Sequence, residues 1–210
     1  MLSIDIIVPT YNRPDDVRKF VKEILKQKYV NYKVYIVDDC GDCDLTWLEN
    51  FNNKINYLRL EKNRGQAFAR NFAVKNSNSD FLLFLDDDAW FLDDDALDNF
   101  IKEVSESDAD GWMLDVQEPN KALLSKRVKS KAGDEIGEFI ACACAFKRIS
   151  FITVGSFSEG FHSYGEETEF VIRMKSFNQT MCFLPQIKVF HNYHPTKRSA
   201  EWFNRFHLNS

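Results

Sequence analysis

The stretch Phe81-Leu82-Leu83-Phe84-Leu85-Asp86-Asp87-Asp88 decides how the rest of the chain is read. Phe81 to Leu85 is a short, unbroken apolar run of the kind that forms a strand buried on both faces, as in parallel sheets. Three carboxylates follow at once. Ionised neighbours at a strand exit repel one another, so without a cation they lose stability or shift their protonation upward. A bound divalent metal relieves that repulsion and leaves coordination positions for phosphate oxygens. Asp93, Asp94 and Asp95 read differently, as an acidic lead into a helix from Ala96 to Val104, where negative charge suits the helix N-terminus.

Working outward, the same rhythm precedes this stretch. Ile4 to Pro9 is a buried strand, and Pro14 opens a helix carrying Val17, Phe20, Val21, Ile24 and Leu25 on one face. Strands follow at Val34 to Val37 and Ile55 to Leu60, with a short helix at Leu45 to Phe51 and a longer one at Gln66 to Lys75. Alternating strands and helices predict a mostly parallel, doubly wound central sheet with helices on both faces. Ligands of such sheets sit beyond the carboxyl ends of the strands. Polar clusters stand at three of those ends: Thr10-Tyr11-Asn12, Asp38-Asp39 and Asp86-Asp87-Asp88. The second half is less regular, with strands at Trp112 to Val116, Phe139 to Phe146 and Ile187 to Phe190 and a helix at Glu166 to Met174. Trp202, Phe203 and Phe206 mark a tail that docks as a helix. No internal repeat or linker divides the chain, so one domain over residues 1–210 is expected.

The composition bounds the function. The chain has 210 residues, 19 of them Phe, and a formal charge of -5. That charge argues against a protein that grips nucleic acid through broad positive potential. Residues 86–95 hold six Asp and no base, so the remainder carries +1 and the acidity is local. Pro119 to Gly133, by contrast, carries Lys121, Lys126, Arg127, Lys129 and Lys131 and no acid. The longest apolar run, Phe139 to Phe146, is eight residues, well short of the roughly 18 that a membrane span needs. A cytoplasmic protein is expected, with peripheral membrane association left open. Five cysteines, an odd number, read as reduced thiols. Cys142 and Cys144 alternate within the expected strand, share one face, and read as structural.

Neither G-x-G-x-x-G nor G-x-x-x-x-G-K-[ST] occurs, so phosphates must be held by other means, and a metal on the aspartates is the obvious one. Adjacent Glu166 and Glu167 open a helix and point in different directions. One can orient an acceptor while the other acts as general base. Glu169 lies four residues before Arg173, a spacing that favours a structural ion pair. His191 and His194 follow the last strand and are both candidate ligands for a Mn2+-type ion.

Together these segments resemble the family 2 glycosyltransferases of GT-A fold, in order and over nearly the whole chain. Ile7-Val8-Pro9-Thr10-Tyr11-Asn12-Arg13 is similar to that family's opening strand and nucleotide loop. Val37-Asp38-Asp39-Cys40-Gly41-Asp42 matches its second strand end, with Cys40-Gly41 where Gly-Ser is more usual. Asn63-Arg64-Gly65 with Ala69-Arg70-Asn71 resembles its third segment, and Asp86-Asp87-Asp88 its D-x-D metal motif. Gly155 to Phe161 is a degraded G-G-F-D-E, and Gly165-Glu166-Glu167 an E-D segment with Glu in place of Asp.

The resemblance implies roles. Pro9, Thr10, Tyr11, Arg13, Asp39, Arg64, Arg70, Asp86 and Asp87 would bind the nucleotide, with Tyr11 stacking on the base, Asp39 accepting from its N–H, and Arg70 and Asp86 near the ribose or phosphate. Asp88 and His191 would hold Mn2+ or Mg2+, with His194 as the fallback. Glu167 would be the catalytic base and Glu166 its acceptor-facing neighbour. Residues 1–116 would form the nucleotide-sugar half and 117–210 the acceptor-binding and catalytic half. The implied reaction is an inverting single displacement from a nucleotide sugar, UDP being the commonest carrier, onto a hydroxyl of a glycan or lipid-linked acceptor. The basic Pro119 to Gly133 segment would suit an anionic one, which would place the chain in polysaccharide biosynthesis. A nucleotidyltransferase would need a Gly-rich phosphate loop, and Ile7 to Arg13 contains no Gly. A non-catalytic nucleotide-sugar-binding module is the other alternative.

Overall fold

The computed structural model describes residues 1–118, 133–137, 139–161 and 165–192. Its elements, in chain order, are β1 (Ile4–Thr10), α1 (Pro14–Ile24), β2 (Tyr32–Asp38), a 3-10 turn (Thr46–Leu48), β3 (Ile55–Arg59), α2 (Gln66–Lys75), β4 (Phe81–Leu85), β5 (Ala89–Phe91), α3 (Ala96–Ser105), β6 (Gly111–Gln117), β7 (Ala143–Lys147), α4 (Arg148–Val154), α5 (Glu166–Ser176) and β8 (Met181–His191). The strands form one eight-stranded sheet in the order β3-β2-β1-β4-β7-β6-β8-β5. β1 to β4 are mutually parallel, and β6 and β8 run the same way, whereas β7 and β5 run against their neighbours. The mostly parallel α/β sheet expected from the alternating pattern is therefore present, with an irregular second half.

Both faces of the sheet are covered, which is why its central strands read as continuous apolar runs. Successive residues of β4 go to opposite sides: Phe81, Leu83 and Leu85 pack with α1 and α3, while Leu82 and Phe84 pack with α2, α4 and α5. The second layer is unusually aromatic. Phe170 of α5 lies against Phe146, Phe151 and Phe157 at centroid distances of 5.2, 4.9 and 5.1 Å. Edge-on and tilted ring pairs of this kind add about 0.5–1.5 kcal/mol each beyond the area they bury. They fix the start of α5 over the sheet.

Two expectations fail for local reasons. The apolar run Phe139 to Phe146 becomes strand only from Ala143, because Ala141 and Cys142 form a turn. Cys142 and Cys144 therefore do not share a face; they belong to opposite core layers, since strand alternation does not extend back to residue 142. β8 starts at Met181, six residues before the expected Ile187, and absorbs Pro185. Pro185 cannot donate to a ladder, and the β6–β8 register shifts between Leu114↔Leu184 and Asp115↔Lys188. β5 and α4 were not foreseen, and both are short. The tail carrying Trp202, Phe203 and Phe206, the basic residues Lys121, Lys126, Arg127, Lys129 and Lys131, and His194 lie outside the described residues. Among the described residues no helix is long and apolar enough to cross a membrane.

Candidate active site

The carboxyl ends of β1, β2 and β4 converge, as a parallel sheet requires. Parallel register sets Thr10 beside Asp38, and both are buried. The loop after β1 is tied to the loop after β2 by Asn12, whose Oδ1 accepts from the backbone N–H of Asp42 at 2.6 Å and of Cys43 at 3.3 Å. Asn12 and Cys40 both adopt positive φ, +56° and +62°. The loops approach so closely that a Cβ on Gly41 would come within 2.7 Å of Asn12 Oδ1. Glycine there is a steric requirement of the loop pairing.

The three aspartates after β4 have separate fates. Asp87 is buried, accepts from Thr10 Oγ1 at 2.6 Å, and pairs with Arg13 Nη1 at 2.8 Å. Burial pushes its carboxyl up to about 7, with Asp88 and Asp86 adding to the rise against Arg13 and Thr10. Asp88 also receives Arg13 and lies 3.2 Å from His191 Nε2. Burial opposes its ionisation, but His191 and Arg13 prevail and hold it at about 2. Asp86 is partly exposed and pairs with Arg70 Nη2 at 3.0 Å.

His191 arrives by strand pairing. β5 follows the aspartates directly, and its antiparallel register with β8 sets Ala89 opposite His191. The backbone N–H of Asn192 then donates to Asp88 O at 2.9 Å. His191 Nδ1 lies 3.0 Å from Glu118 Oε1, so the imidazole is held between two carboxylates. Burial disfavours its charge, yet Asp88 and Cys142 raise it to about 12.

Arg70 is the keystone of the site. Its side chain is 1% exposed, with Nη1 3.2 Å from Glu166 Oε1 and Nη2 on Asp86. Glu166 is fully buried and also accepts from Gln66 Nε2 at 2.7 Å. Burial and Glu167 together push its carboxyl up to about 7 in spite of Arg70. Glu167, the next residue, is half-buried. The neighbour of Arg70, Asn71, clamps the degraded motif before α5: it donates to Phe157 O at 2.8 Å and accepts from Phe157 N at 3.1 Å. The Arg70-Asn71 pair thus joins two segments about a hundred residues on. Gly165 caps α5 at φ +100°, a conformation that favours glycine.

The sequence-expected residues distribute as follows. Thr10, Arg13, Asp86, Asp87, Asp88 and His191 come together, and Arg70 connects them to Glu166 and Glu167. Pro9 lies in β1 one residue before Thr10, in register with Val37. Tyr11 is 42% exposed. Asp39 already accepts from the backbone N–H groups of Arg64 at 2.7 Å and Gly65 at 2.8 Å, and burial raises its carboxyl. Arg64 lies over Phe68, Cζ 3.9 Å from the ring centroid. Arg70, assigned by resemblance to ribose or phosphate, sits buried on α2 and pairs with the carboxylates of Asp86 and Glu166. Glu169 pairs with Arg173, Oε2 to Nη2 2.7 Å, as its spacing implied.

A metal fits this donor set. Asp88 and His191, buried and side by side at 3.2 Å, with Asp86 close by, are donors of the types that hold a divalent cation. Among the described residues, ligand atoms of Asp86, Cys142 and His191 lie within 4.8 Å of one another. Sequence reasoning missed Cys142 and Glu118. The run Phe139 to Phe146 gave no sign that its antiparallel pairing would bring residue 142 to the aspartates. Glu118 carried no pattern at all.

A sheet whose parallel strand ends gather acidic residues around a nucleotide-sized loop cluster, with a carboxylate pair facing it from a helix start, defines the GT-A class of fold. Glycosyl transferase family 2 matches residues 5–178, and the chain belongs to that family. A Haemophilus influenzae protein described as an uncharacterized glycosyltransferase is 37% identical over 89 residues, 42% of this chain and 30% of its own length. Staphylococcus aureus TarS, a poly(ribitol-phosphate) beta-N-acetylglucosaminyltransferase, is 29% identical over 126 residues, 57% of this chain and 22% of TarS. Its crystal structure with UDP-GlcNAc superposes with a TM-score of 0.78 at 19% identity, covering 99% of this chain and 65% of that one. The mannosyltransferase PcManGT from Pyrobaculum calidifontis, solved with GDP-Man and Mn2+, gives 0.78 at 21% identity, covering 92% of this chain and 58% of that one. The match takes in well under half the length of either curated relative, 30% of the Haemophilus influenzae protein and 22% of TarS.

Proposed function

We infer that this chain transfers a sugar from a nucleotide-sugar donor, a UDP-sugar in the first place, to an acceptor hydroxyl with inversion. The observation that carries the reading is the ionic bridge Asp86–Arg70–Glu166, which ties the aspartate wall at the strand ends to the carboxylate pair opening α5. A donor bound along the wall by Thr10, Tyr11, Arg13 and Asp39 would present its anomeric carbon toward α5. Glu167, half-buried and without the clamp that immobilises Glu166, is the general base and takes the acceptor proton as that oxygen attacks. Glu166 cannot serve readily in that role, because Gln66 and Arg70 hold one of its oxygens and the core encloses the other. It fixes the start of α5 instead. A divalent cation, Mn2+ or Mg2+, held by Asp88 and His191 would neutralise charge developing on the leaving diphosphate. Arg13 remains beside Asp87 and Asp88 as a second positive group for the same oxygens.

On this reading residues 1–116 bind the donor and 117–210 supply the acceptor side. The basic Pro119 to Gly133 segment favours an anionic glycan or lipid-linked acceptor, and TarS, named for a phosphate polymer, supports that class. The deciding experiment incubates the protein with UDP-, GDP- and dTDP-sugars, Mn2+ and candidate acceptors, and follows nucleotide release and the anomeric configuration of product by NMR. Acceptor-dependent release with inverted configuration is expected. UDP binding without release under any condition would identify a non-catalytic module, and a retained configuration would exclude single displacement.

A further inference from the structure

We propose that Cys142 is a ligand in the cation site, so that this protein binds a thiophilic ion of the Zn2+ class through Cys142, His191 and Asp86. The proposal deepens the metal reading given above, although it concerns binding and stands apart from transfer. The placement follows from pairing. β4 and β7 are antiparallel with Leu85 opposite Ala143, so one step further brings Asp86 to face Cys142. β5 and β8 bring His191 to the same point from the other side. As a result Cys142 Sγ, an Asp86 carboxylate oxygen and a His191 ring nitrogen all lie within 4.8 Å of one another. Donors around a tetrahedral ion stand roughly 3.5 Å apart, given metal–ligand distances of about 2.0–2.3 Å. Small side-chain rotations close that difference.

A neighbouring carboxylate and the second shell suit a cation here. Asp88 is 5% exposed, and its Oδ1 pairs with His191 Nε2 at 3.2 Å, so a further carboxylate oxygen borders the cluster. Glu118 Oε1 sits at His191 Nδ1, the arrangement by which a carboxylate orients a ligating imidazole and presents its other nitrogen to the ion. Sulfur changes what such a site prefers. Oxygen donors suit Mn2+ and Mg2+, whereas imidazole together with a thiolate favours Zn2+ and similar ions. Binding forms a metal–sulfur and a metal–nitrogen bond, and the Cys142 thiol proton and one His191 imidazolium proton leave to solvent.

Co2+ is the probe, since a thiolate ligand gives it an intense sulfur-to-metal charge-transfer band in the near ultraviolet. The titration uses the full chain with Cys40 and Cys43 replaced by Ser, to silence the pair on the loop after β2. A charge-transfer band is expected, displaced by equimolar Zn2+, lost in Cys142→Ser and kept in Cys182→Ser. Zn2+ affinity should fall by at least about tenfold in Cys142→Ser. A band that survives Cys142→Ser, or a wild-type spectrum with weak ligand-field bands alone, overturns the proposal. Zinc-edge X-ray absorption on the unmutated protein gives a check that no substitution can confound. A sulfur scatterer at about 2.3 Å supports the assignment, and a shell of nitrogen and oxygen alone refutes it. Sugar transfer with a sulfur-free metal shell would sink this inference and leave the proposed function intact; a sulfur-ligated ion in a protein that transfers nothing would do the reverse.

Discussion

The parallel half of the sheet, β1 to β4, and the mixed half, β5 to β8, build the same site in different ways. In the parallel half each strand ends at the site, so site residues fall at regular places in the sequence: Thr10, Asp38-Asp39 and Asp86 to Asp88. In the mixed half, site residues come from a turn before β7, from the end of β8 and from the start of α5. They reach the aspartates through antiparallel pairing and through Arg70. The difference teaches that parallel strands place residues at the site by local pattern, whereas the mixed half places them by long-range pairing. The halves meet along the β4–β7 ladder, and at the site they are tied by the buried Arg70.

Substitutions can break that division in order of severity. Glu167→Gln should lower kcat by about a thousandfold, within the range of general-base removal, while UDP affinity measured by calorimetry stays within about twofold. Near-normal turnover would move the base elsewhere, with Glu166 next in line. Arg70→Met removes the link itself and leaves Glu166 and Asp86 without their buried cation. A loss of about 3 kcal/mol in urea unfolding is expected, the low end for a broken buried pair because Gln66 still donates to Glu166. A loss under about 1 kcal/mol would show that α5 is held by its Phe packing alone.

Asp88→Ala tests the binding half. UDP affinity should drop about tenfold with Mn2+ present and should match wild type in EDTA. Equal affinities in both buffers would remove the metal from the donor site. A fourth effect concerns pH. The Glu166 carboxyl is raised from 4.5 to about 7 by burial and by Glu167. A carboxyl raised in the folded state favours folding below its unfolded value, and that contribution is lost as pH rises through the folded one. Stability should therefore decline between pH 4.5 and 7, and Glu166→Gln should make the decline shallower, the raised Asp87 carboxyl accounting for what remains. Identical profiles in the two proteins would mean that Glu166 titrates like an exposed carboxylate.

Much of the fold was legible because burial leaves a mark on sequence. α2 and β4 have the limits expected of them, since a helix with alanines on its inner face and a strand buried on both sides are strongly patterned. β5 was not legible. Three residues after an acidic turn carry no period, and their strand state comes from pairing with β8. The turn at Ala141-Cys142 was hidden for the opposite reason: its residues are as apolar as the strand they precede. Arg70 shows the same limit at the site. Its place in an Arg-Asn pair marked it as functional, but its partners Asp86 and Glu166 are 16 and 96 positions away, and no local rule connects them.

The sequence by itself determined the alternating architecture, the acidic strand ends, the carboxylate pair at a helix start and membership of a family that combines them. Each depends on local composition or on short-range periodicity. Only the tertiary structure decided that Arg70 lies between two carboxylates, that Glu118 backs His191, and that Cys142 faces Asp86. Those contacts depend on strand register and helix packing across long separations, where a shift of one residue would send each side chain to the other face of the sheet.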